Sequence, residues 1–281
     1  MRNIRIIPKL DIKNGLLIKG INLEGLRVLG DAFNFAEYYY NNGADEICYI
    51  DNVATLYGTN NLSKFVKRAA KNLFVPLTVG GGIRSLKDIE RMLKSGADKV
   101  CLNSAIIKDQ KLLKNAVRNF GSSTIVAMIE SNKIDNKYFI STSSGRDLVK
   151  MSPVDWAKKV EDFGAGEILL TSVNKEGLKS GYDINITKKV SEKVKIPVIA
   201  HGGAGSIKDI IDVIKKTKIS GVSLSGMLHY DIYNLFSNRN YKLFETGNTY
   251  FINNNISKKK PINYLKKLKE TLFRENIHVR K

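Results

Sequence analysis

Two similar stretches, Pro76-Leu-Thr-Val-Gly-Gly-Gly82 and Pro197-Val-Ile-Ala-His-Gly-Gly203, decide the fold. In each, a short apolar run stops at consecutive glycines, which is typical of a buried parallel strand followed by a loop that approaches a ligand. The two stretches are 121 positions apart, and so are the similar runs that begin at Gly43 and Gly164. This self-similarity indicates that the chain is built from two related halves.

Apolar strand-like runs alternate with amphipathic segments over most of the chain. The predicted strands are residues 4–10, 46–51, 77–79, 99–103, 124–130, 167–173, 198–200 and 222–225. Eight alternations of strand and helix favour an α/β protein whose parallel strands close into a barrel. We therefore expect residues 1–281 to form a single (β/α)8 TIM barrel domain, with half-barrels at about 1–120 and 121–281.

Three segments depart from this alternation. Residues 12–30 are too long for a simple connection, and we expect a lid or binding loop there. Residues 131–151 are polar and suggest a small hairpin. Residues 231–260 lose the pattern and are assigned to an insertion after strand eight, before a last helix at 262–273.

Composition limits the classes of protein to consider. The net charge is +19, yet lysines are spread along the chain, so a solvated basic surface competes with a polyanionic partner, and nucleic acid is not favoured. No apolar run is long enough to span a bilayer, and a signal peptide is not evident, so we expect a cytoplasmic protein. Cys48 and Cys101 lie in apolar runs, which predicts buried thiols and no Cys-based metal site, and we expect no cofactor.

Two carboxylates fall at the ends of predicted strands. In such barrels the reacting groups lie at the carboxyl ends of the strands. Asp11 ends strand one and Glu130 ends strand five, so they would face each other across the barrel mouth. They could act as general acid and base on one substrate, although carboxylates that only cap loops or helices remain an alternative.

Glycine clusters after strands three and seven indicate two anion sites. Each precedes a helix and offers backbone N–H groups to a phosphate. Each has small polar residues at a neighbouring strand end, and a further glycine loop starts at Gly177. The candidate phosphate-binding residues are Gly82, Asn103 and Ser104 in the first half, and Gly177, Gly202, Gly203, Ser225 and Gly226 in the second. Two such sites predict a substrate with a phosphate at each end.

Four charged residues begin strands at the opposite end of the barrel. Residues an even number apart on a strand share a face, which groups Arg5 with Asp11 and Lys99 with Asn103. The four are Arg5, Glu46, Lys99 and Glu167. They would form a neutral ring across the barrel floor. A merely stabilising cluster of ion pairs stays open at this point.

Several motifs in this order resemble the cyclase subunit of imidazole glycerol phosphate synthase. They are Asp11-Ile-Lys13, Val79–Gly82, Gly96–Val100, Gly166–Ser172, Gly177 with Gly181-Tyr-Asp183, and Gly202–Gly205. The resemblance implies that a glutaminase subunit docks under the barrel and delivers ammonia along its axis. The ammonia would react with a bisphosphorylated ribulosyl-formimino aminoimidazole carboxamide ribotide. The products would be imidazole glycerol phosphate and aminoimidazole carboxamide ribotide.

The resemblance also implies roles for individual residues. It makes Asp11 catalytic, Lys19 a mobile-loop lysine and Thr171 part of the substrate pocket. It assigns phosphate contacts to Gly82, Asn103, Gly203 and Ser225. The four residues of the charged ring become an ammonia gate, and Asp98 becomes a residue of the interface with the glutaminase subunit in a heterodimer.

Three departures from the family pattern keep alternatives open. Glu130 replaces the second catalytic aspartate, Lys9 replaces a cysteine usual beside the first, and the insertion at 231–260 is unusual. These changes would suit a paralogue that uses delivered ammonia to form an amidino group on a nucleotide-activated sugar for surface glycans. A non-catalytic polyanion-binding barrel and the related isomerase of the same pathway are further alternatives, although an isomerase would need no ammonia route.

Overall fold

A computed structural model describes residues 3–52, 54, 62–236 and 261–280. Its strands are β1 (Arg5–Lys13), β2 (Leu16–Ile21), β3 (Glu24–Asp31), β4 (Ile47–Asp51), β5 (Leu77–Gly80), β6 (Lys99–Leu102), β7 (Ile125–Ile134), β8 (Lys137–Thr142), β9 (Asp147–Val149), β10 (Glu167–Ser172), β11 (Val198–His201) and β12 (Gly221–Leu224). Eight of them are parallel and close into the barrel that the alternating pattern predicts.

The barrel closes in the order β1, β4, β5, β6, β7, β10, β11, β12 and back to β1. Closure is direct, since Arg5 lies beside Gly221 and Lys9 lies beside Cys48 in the neighbouring strands. Strands β1 and β7 are four places apart in either direction around the barrel, which places them on opposite sides of its axis.

Helices surround the barrel. They are α1 (Ala32–Asn41), α2 (Ser63–Asn72), α3 (Leu86–Lys94), α4 (Ser104–Lys108), α5 (Gln110–Phe120), α6 (Pro153–Asp162), α7 (Ile184–Lys193), α8 (Ile207–Lys216), α9 (Gly226–Phe236) and α10 (Tyr264–Arg274). Asp31, Ser85 and Ser206 are N-caps, whose side chains accept hydrogen bonds from the first backbone N–H groups of their helices. The helices bury apolar faces such as Phe35 and Trp156 against the outside of the strands.

The 121-residue repeat extends to backbone geometry. Ser85 has φ −146° and ψ 162°, and Ser206 has φ −145° and ψ 163°. Gly81 and Gly202 have φ values of 97° and 98°, in the left-handed region that favours glycine. Equivalent turns therefore connect strand to helix in the two halves, while the exact half-barrel boundaries stay a prediction.

The segment predicted as a lid or binding loop is regular structure instead. Residues 12–30 fall in the end of β1 and an antiparallel hairpin of β2 and β3, which pairs with β1 from Asp11 onward. Glycines and bulges interrupt the alternation in this hairpin, which is why periodicity does not identify it. The smaller hairpin expected within 131–151 is confirmed, although β7 continues past Glu130 to Ile134 and pairs with β8.

The first six residues of the segment expected as an insertion, 231–260, are helical. Residues 231–236 belong to α9, whose aromatic residues pack on α1, as in the contact between Phe35 and Phe236. Residues 237–260 lie outside the described residues. None of the described helices combines the length and the apolar character that crossing a membrane requires.

Candidate active site

The barrel floor carries the charged ring that strand parity predicts. The guanidinium of Arg5 donates to Glu46 at 3.0 Å and also contacts Glu167. The ammonium of Lys99 lies 2.9 Å from Glu46 and 3.0 Å from Glu167. Each cation therefore bridges both carboxylates, and the ring is closed. Burial alone would lower the pKa of Lys99, but the two carboxylates outweigh it and raise the pKa.

An apolar layer lies above the ring inside the barrel. Its side chains come from different strands and form a cluster separate from the outer core: Ile7, Cys48, Ile50, Cys101, Val126, Met128, Leu169 and Ile199. Both thiols are reduced and buried, as the sequence predicts. Burial raises the pKa of Cys101 to about 12, so this thiol stays neutral and unreactive.

Asp11 lies on the inner face of β1, one layer above Lys9. Both residues are buried, with 2% exposure each, and the Lys9 ammonium donates to the Asp11 carboxylate. Burial would lower the pKa of Lys9, yet the charges of Asp11 and Glu176 raise it, which keeps the lysine protonated. The expected carboxylate is therefore present at the mouth, with a cation as its direct partner.

Glu130 is held differently on the opposite strand. It is 4% exposed, and its Oε2 accepts a hydrogen bond of 2.9 Å from the backbone N–H of Gly145. Burial raises its pKa to about 7, although the hydrogen bond from Gly145, the nearby charge of Lys9 and the amide of Asn103 oppose this rise. A carboxyl with such a pKa can both donate and accept a proton near neutrality.

The structure brings the first group of predicted phosphate residues together with Glu130. They line a cleft of about 460 Å³ that contains Gly82, Asn103, Ser104 and Glu130. Two cations, Arg84 and Lys108, line the same cleft and favour an anionic ligand.

The second group also comes together. Gly177, Gly202, Gly203, Ser225 and Gly226 line a smaller cleft of about 20 Å³, which Lys179 and His201 also border. The two groups thus form two separate clefts on the same end of the barrel. Asp11, Lys19 and Thr171 line neither cleft, because each is buried in the barrel wall or interior.

Several buried polar atoms near the two clefts have no protein partner. Among the described residues they include Oδ1 of Asn103, Oγ1 of Thr171 and the hydroxyls of Ser223 and Ser225. Buried polar groups are almost always hydrogen-bonded in folded proteins. Unsatisfied groups that gather at strand ends are therefore typical of a site that binds a polar ligand.

Lys19, expected as a loop lysine, is instead a buried residue of β2. Its ammonium contacts the carboxylate of Glu176, and the backbone N–H of Asn22 donates to the Glu176 carbonyl at 2.8 Å. His201 Nε2 lies 3.1 Å from the other oxygen of Glu176, outside hydrogen-bond alignment. Burial would raise the pKa of Glu176, but these two neighbours hold it well below its usual range.

Sequence reasoning missed Glu176 and His201 as residues of this site. His201 ends β11 two residues after the interior residue Ile199, so strand parity alone would have placed it inside the barrel. Glu176 directly precedes Gly177, but no local pattern indicates that it pairs with Lys19, which is 157 residues away.

Asp98 lies at the floor end of the barrel, as its position before β6 requires. Its side chain is exposed, and Oδ2 accepts a hydrogen bond of 2.8 Å from the backbone N–H of Leu77. No cluster of three or more potential metal-ligating side chains occurs within residues 3–52, 54, 62–236 and 261–280.

Comparison with known proteins agrees with this geometry. The family model described as "Histidine biosynthesis protein" matches residues 5–234. The imidazole glycerol phosphate synthase subunit HisF of Legionella pneumophila is 50% identical over 210 residues, which is 74% of this chain and 99% of that protein.

Two further relatives bear the same name. HisF of Bacillus cereus strain G9842 is 44% identical over 80% of this chain and 90% of its own length. HisF of Lactococcus lactis subsp. cremoris strain SK11 is 46% identical over 80% and 88%. With matches of this extent, the chain belongs to the histidine biosynthesis protein family and, within it, to the imidazole glycerol phosphate synthase subunits HisF.

Proposed function

We propose that this chain is the cyclase subunit of imidazole glycerol phosphate synthase, a lyase of histidine biosynthesis. It would combine ammonia with the bisphosphorylated ribulosyl-formimino aminoimidazole carboxamide ribotide. Imidazole glycerol phosphate, aminoimidazole carboxamide ribotide and water would leave. The observation that supports this most strongly is the pair of buried carboxylates, Asp11 and Glu130, on opposite strands between two glycine-lined clefts.

The two clefts suit a long substrate with a phosphate at each end. Glycine backbone in the left-handed region, as at Gly82 and Gly203, lets N–H groups approach a phosphate without an intervening side chain. Held at both ends, the substrate would have its reacting centre between Asp11 and Glu130. Asp11 would accept protons and Glu130 would exchange them as imine formation, ring closure and carbon–nitrogen cleavage proceed.

The barrel axis would provide the route for ammonia. A charged ring at the floor followed by an apolar layer suits a small neutral molecule better than an ion, because an ion would lose its hydration there. The ring would open and close this route. A glutaminase subunit would dock on the floor face, where Asp98 is exposed, and form a heterodimer.

A second candidate is the paralogue that makes an amidino group on a nucleotide-activated sugar. Glu130 and Lys9 favour it, since both departures from the family pattern lie at the reacting centre. A nucleotide-activated sugar has its phosphates joined to one another, whereas the two clefts lie apart. For that reason the cyclase is the better match.

One substrate panel tests the proposal. The purified chain receives ammonium chloride with either the ribulosyl bisphosphate or a nucleotide-activated acetamido sugar, and Asp11→Asn serves as the inactive control. Release of aminoimidazole carboxamide ribotide only from the first, and only by the wild type, supports the cyclase. Turnover of the sugar alone supports the paralogue. Salt-dependent RNA binding without any turnover would indicate a polyanion-binding barrel.

A further inference from the structure

Lys9 occupies an unusual place in the barrel. Residues Arg5, Ile7, Lys9 and Asp11 alternate along β1 and form one inward column from the floor to the mouth. Lys9 lies in the layer directly beneath Asp11 and is only 2% exposed. Its ammonium contacts the Asp11 carboxylate. A lysine so deeply buried is uncommon in proteins unless it is paired.

The surroundings of Lys9 keep it charged. Burial favours the neutral amine, but nearby carboxylates outweigh burial and raise its pKa. Six titratable groups face it from the elements packed around it. They are Asp11 on β1, Cys48 on β4, Cys101 on β6, Glu130 on β7, Glu176 in the loop after β10 and His229 on α9. Among the described residues, Asp11 is the charged group that accepts a hydrogen bond from the Lys9 ammonium, so it is the direct partner of Lys9.

The backbone at Lys9 is also fixed. His229 Nε2 donates to the Lys9 carbonyl at 3.0 Å, and the Tyr39 hydroxyl donates to His229 Nδ1 at 2.7 Å. Burial lowers the pKa of His229 to about 3, so this imidazole is neutral and its proton is on Nε2. Helices α1 and α9 therefore anchor the strand at the residue whose side chain meets Asp11.

The two mouth carboxylates consequently differ in their partners. Asp11 has a buried cation in contact, whereas the closest hydrogen-bond donor of Glu130 is the neutral N–H of Gly145. The contact with Lys9 therefore fixes the position of the Asp11 carboxylate, as the hydrogen bond from Gly145 fixes that of Glu130.

We propose that Lys9 is a positioning residue that holds the Asp11 carboxylate in one orientation for proton transfer. The inference rests on the proposed function, in which Asp11 exchanges protons with the substrate. Lys9 itself would not touch the substrate, because Asp11 lies between it and the mouth of the barrel.

A spectroscopic test of the pair needs no substrate. The protein is labelled with 15N at lysine Nζ, and the Lys9 signal is assigned by its loss in Lys9→Met and, independently, in Lys9→Arg. We expect Asp11→Asn to lower the pKa of Lys9, because burial then acts without its main counter-charge. Identical Lys9 titrations in the wild type and in Asp11→Asn would overturn the proposal.

A kinetic test measures the effect on catalysis, with ammonium chloride as the nitrogen source. We expect Lys9→Met to lower kcat by about 100-fold and to change KM by less than about threefold. Lys9→Arg, which keeps the cation, should recover part of the loss. The matched control is Lys269→Met, since Lys269 forms an ion pair with Asp45 outside the barrel interior and should leave kcat unchanged.

The outcomes separate the two proposals. If Lys9→Met has the same kcat as the wild type, the proposed role of Lys9 is wrong. If Lys9→Met and Lys269→Met lose kcat equally, Lys9 is only structural. If the wild type itself releases no aminoimidazole carboxamide ribotide, the proposed function is wrong, and the NMR titration still decides whether Lys9 and Asp11 are paired. If Lys9→Met does not fold, Lys9→Arg and the titration decide.

Discussion

Glu130 on β7 accepts a 2.9 Å hydrogen bond from the backbone N–H of Gly145, in the turn between β8 and β9. The contact ties the mouth carboxylate to the hairpin that extends from its own strand. Burial raises the pKa of the Glu130 carboxyl to about 7, although this hydrogen bond opposes the rise. The hairpin thus provides a dry setting in which a glutamate can exchange protons at neutral pH.

The raised pKa of Glu130 predicts a pH-dependent stability. Between its ordinary pKa of 4.5 and about 7, the folded chain keeps a proton that the unfolded chain releases. The free energy of unfolding therefore falls as the pH rises through this range, by about 3 kcal/mol in total. Urea unfolding at pH 4.5 and 7.5 should show this loss in the wild type and not in Glu130→Gln. Equal losses in both proteins would contradict the raised pKa.

The same residue predicts an effect on turnover. Glu130→Gln cannot exchange a proton and should lower kcat by about 100-fold or more. Glu130→Asp keeps the acid on a side chain one methylene shorter and is the matched control, with a much smaller loss. Steady-state kinetics with ammonium chloride at pH 7 measures both. If the glutamine variant is as active as the wild type, Glu130 has no role in proton transfer.

The floor ring predicts a difference between two nitrogen sources. Lys99→Met removes a cation that bridges Glu46 and Glu167 and should disturb the proposed ammonia gate. With a glutaminase subunit present, we expect glutamine-dependent turnover to fall about tenfold, while turnover on ammonium chloride stays within about threefold. Lys94→Met, which breaks an exposed ion pair with Glu90, should change neither. Equal losses with both sources would show that the ring is only structural.

The position of Lys179 at the second cleft predicts that its removal weakens substrate binding. It borders Gly203 and Ser225, and its ammonium lies 5.0 Å from the centre of the Tyr230 ring. The lysine reaches the surface, yet partial burial of its side chain lowers its pKa, and the described residues offer it no ion pair. We expect Lys179→Met to raise KM about tenfold with little change in kcat. Lys189→Met on the exposed face of α7 is the control, and an unchanged KM in Lys179→Met would count against a phosphate there.

The close packing at Gly203 in the second cleft predicts a larger cost of substitution there than at Gly43, a glycine outside the cleft. A Cβ at Gly203 would lie 2.2 Å from the carbonyl oxygen of Gly181, whereas a Cβ at Gly43 would meet nothing within 4 Å. Both residues have positive φ. We expect Gly43→Ala to cost about 1 kcal/mol from backbone strain alone, and Gly203→Ala about 3 kcal/mol because of the added clash. Thermal unfolding measures both, and equal costs would contradict the close approach at Gly203.

The alternation of strands and helices was enough to predict the barrel, and strand parity was enough to predict the ring. Arg5, Glu46, Lys99 and Glu167 meet because even spacing along each strand fixes the face of each side chain. The N-caps at Ser85 and Ser206 are predictable from local sequence, since each depends only on residues within one helical turn.

Contacts between distant segments were not predictable. Lys19 and Glu176 are 157 residues apart, and only the packing of the β2–β3 hairpin on the Gly177 loop brings them together. That hairpin itself escaped prediction because Gly20, Gly25 and Gly30 interrupt its alternation. Lys9 was visible only as a departure from the family pattern, and its contact with Asp11 required the fold.

Isotope transfer tests the central claim most directly, namely that ammonia reacts at the mouth of this barrel. The purified chain is given the ribulosyl bisphosphate and 15N-ammonium chloride, and both products are examined by mass spectrometry. The account predicts equal amounts of the two products, with one 15N in imidazole glycerol phosphate and none in aminoimidazole carboxamide ribotide. Unlabelled imidazole glycerol phosphate, or no product at all, would contradict it.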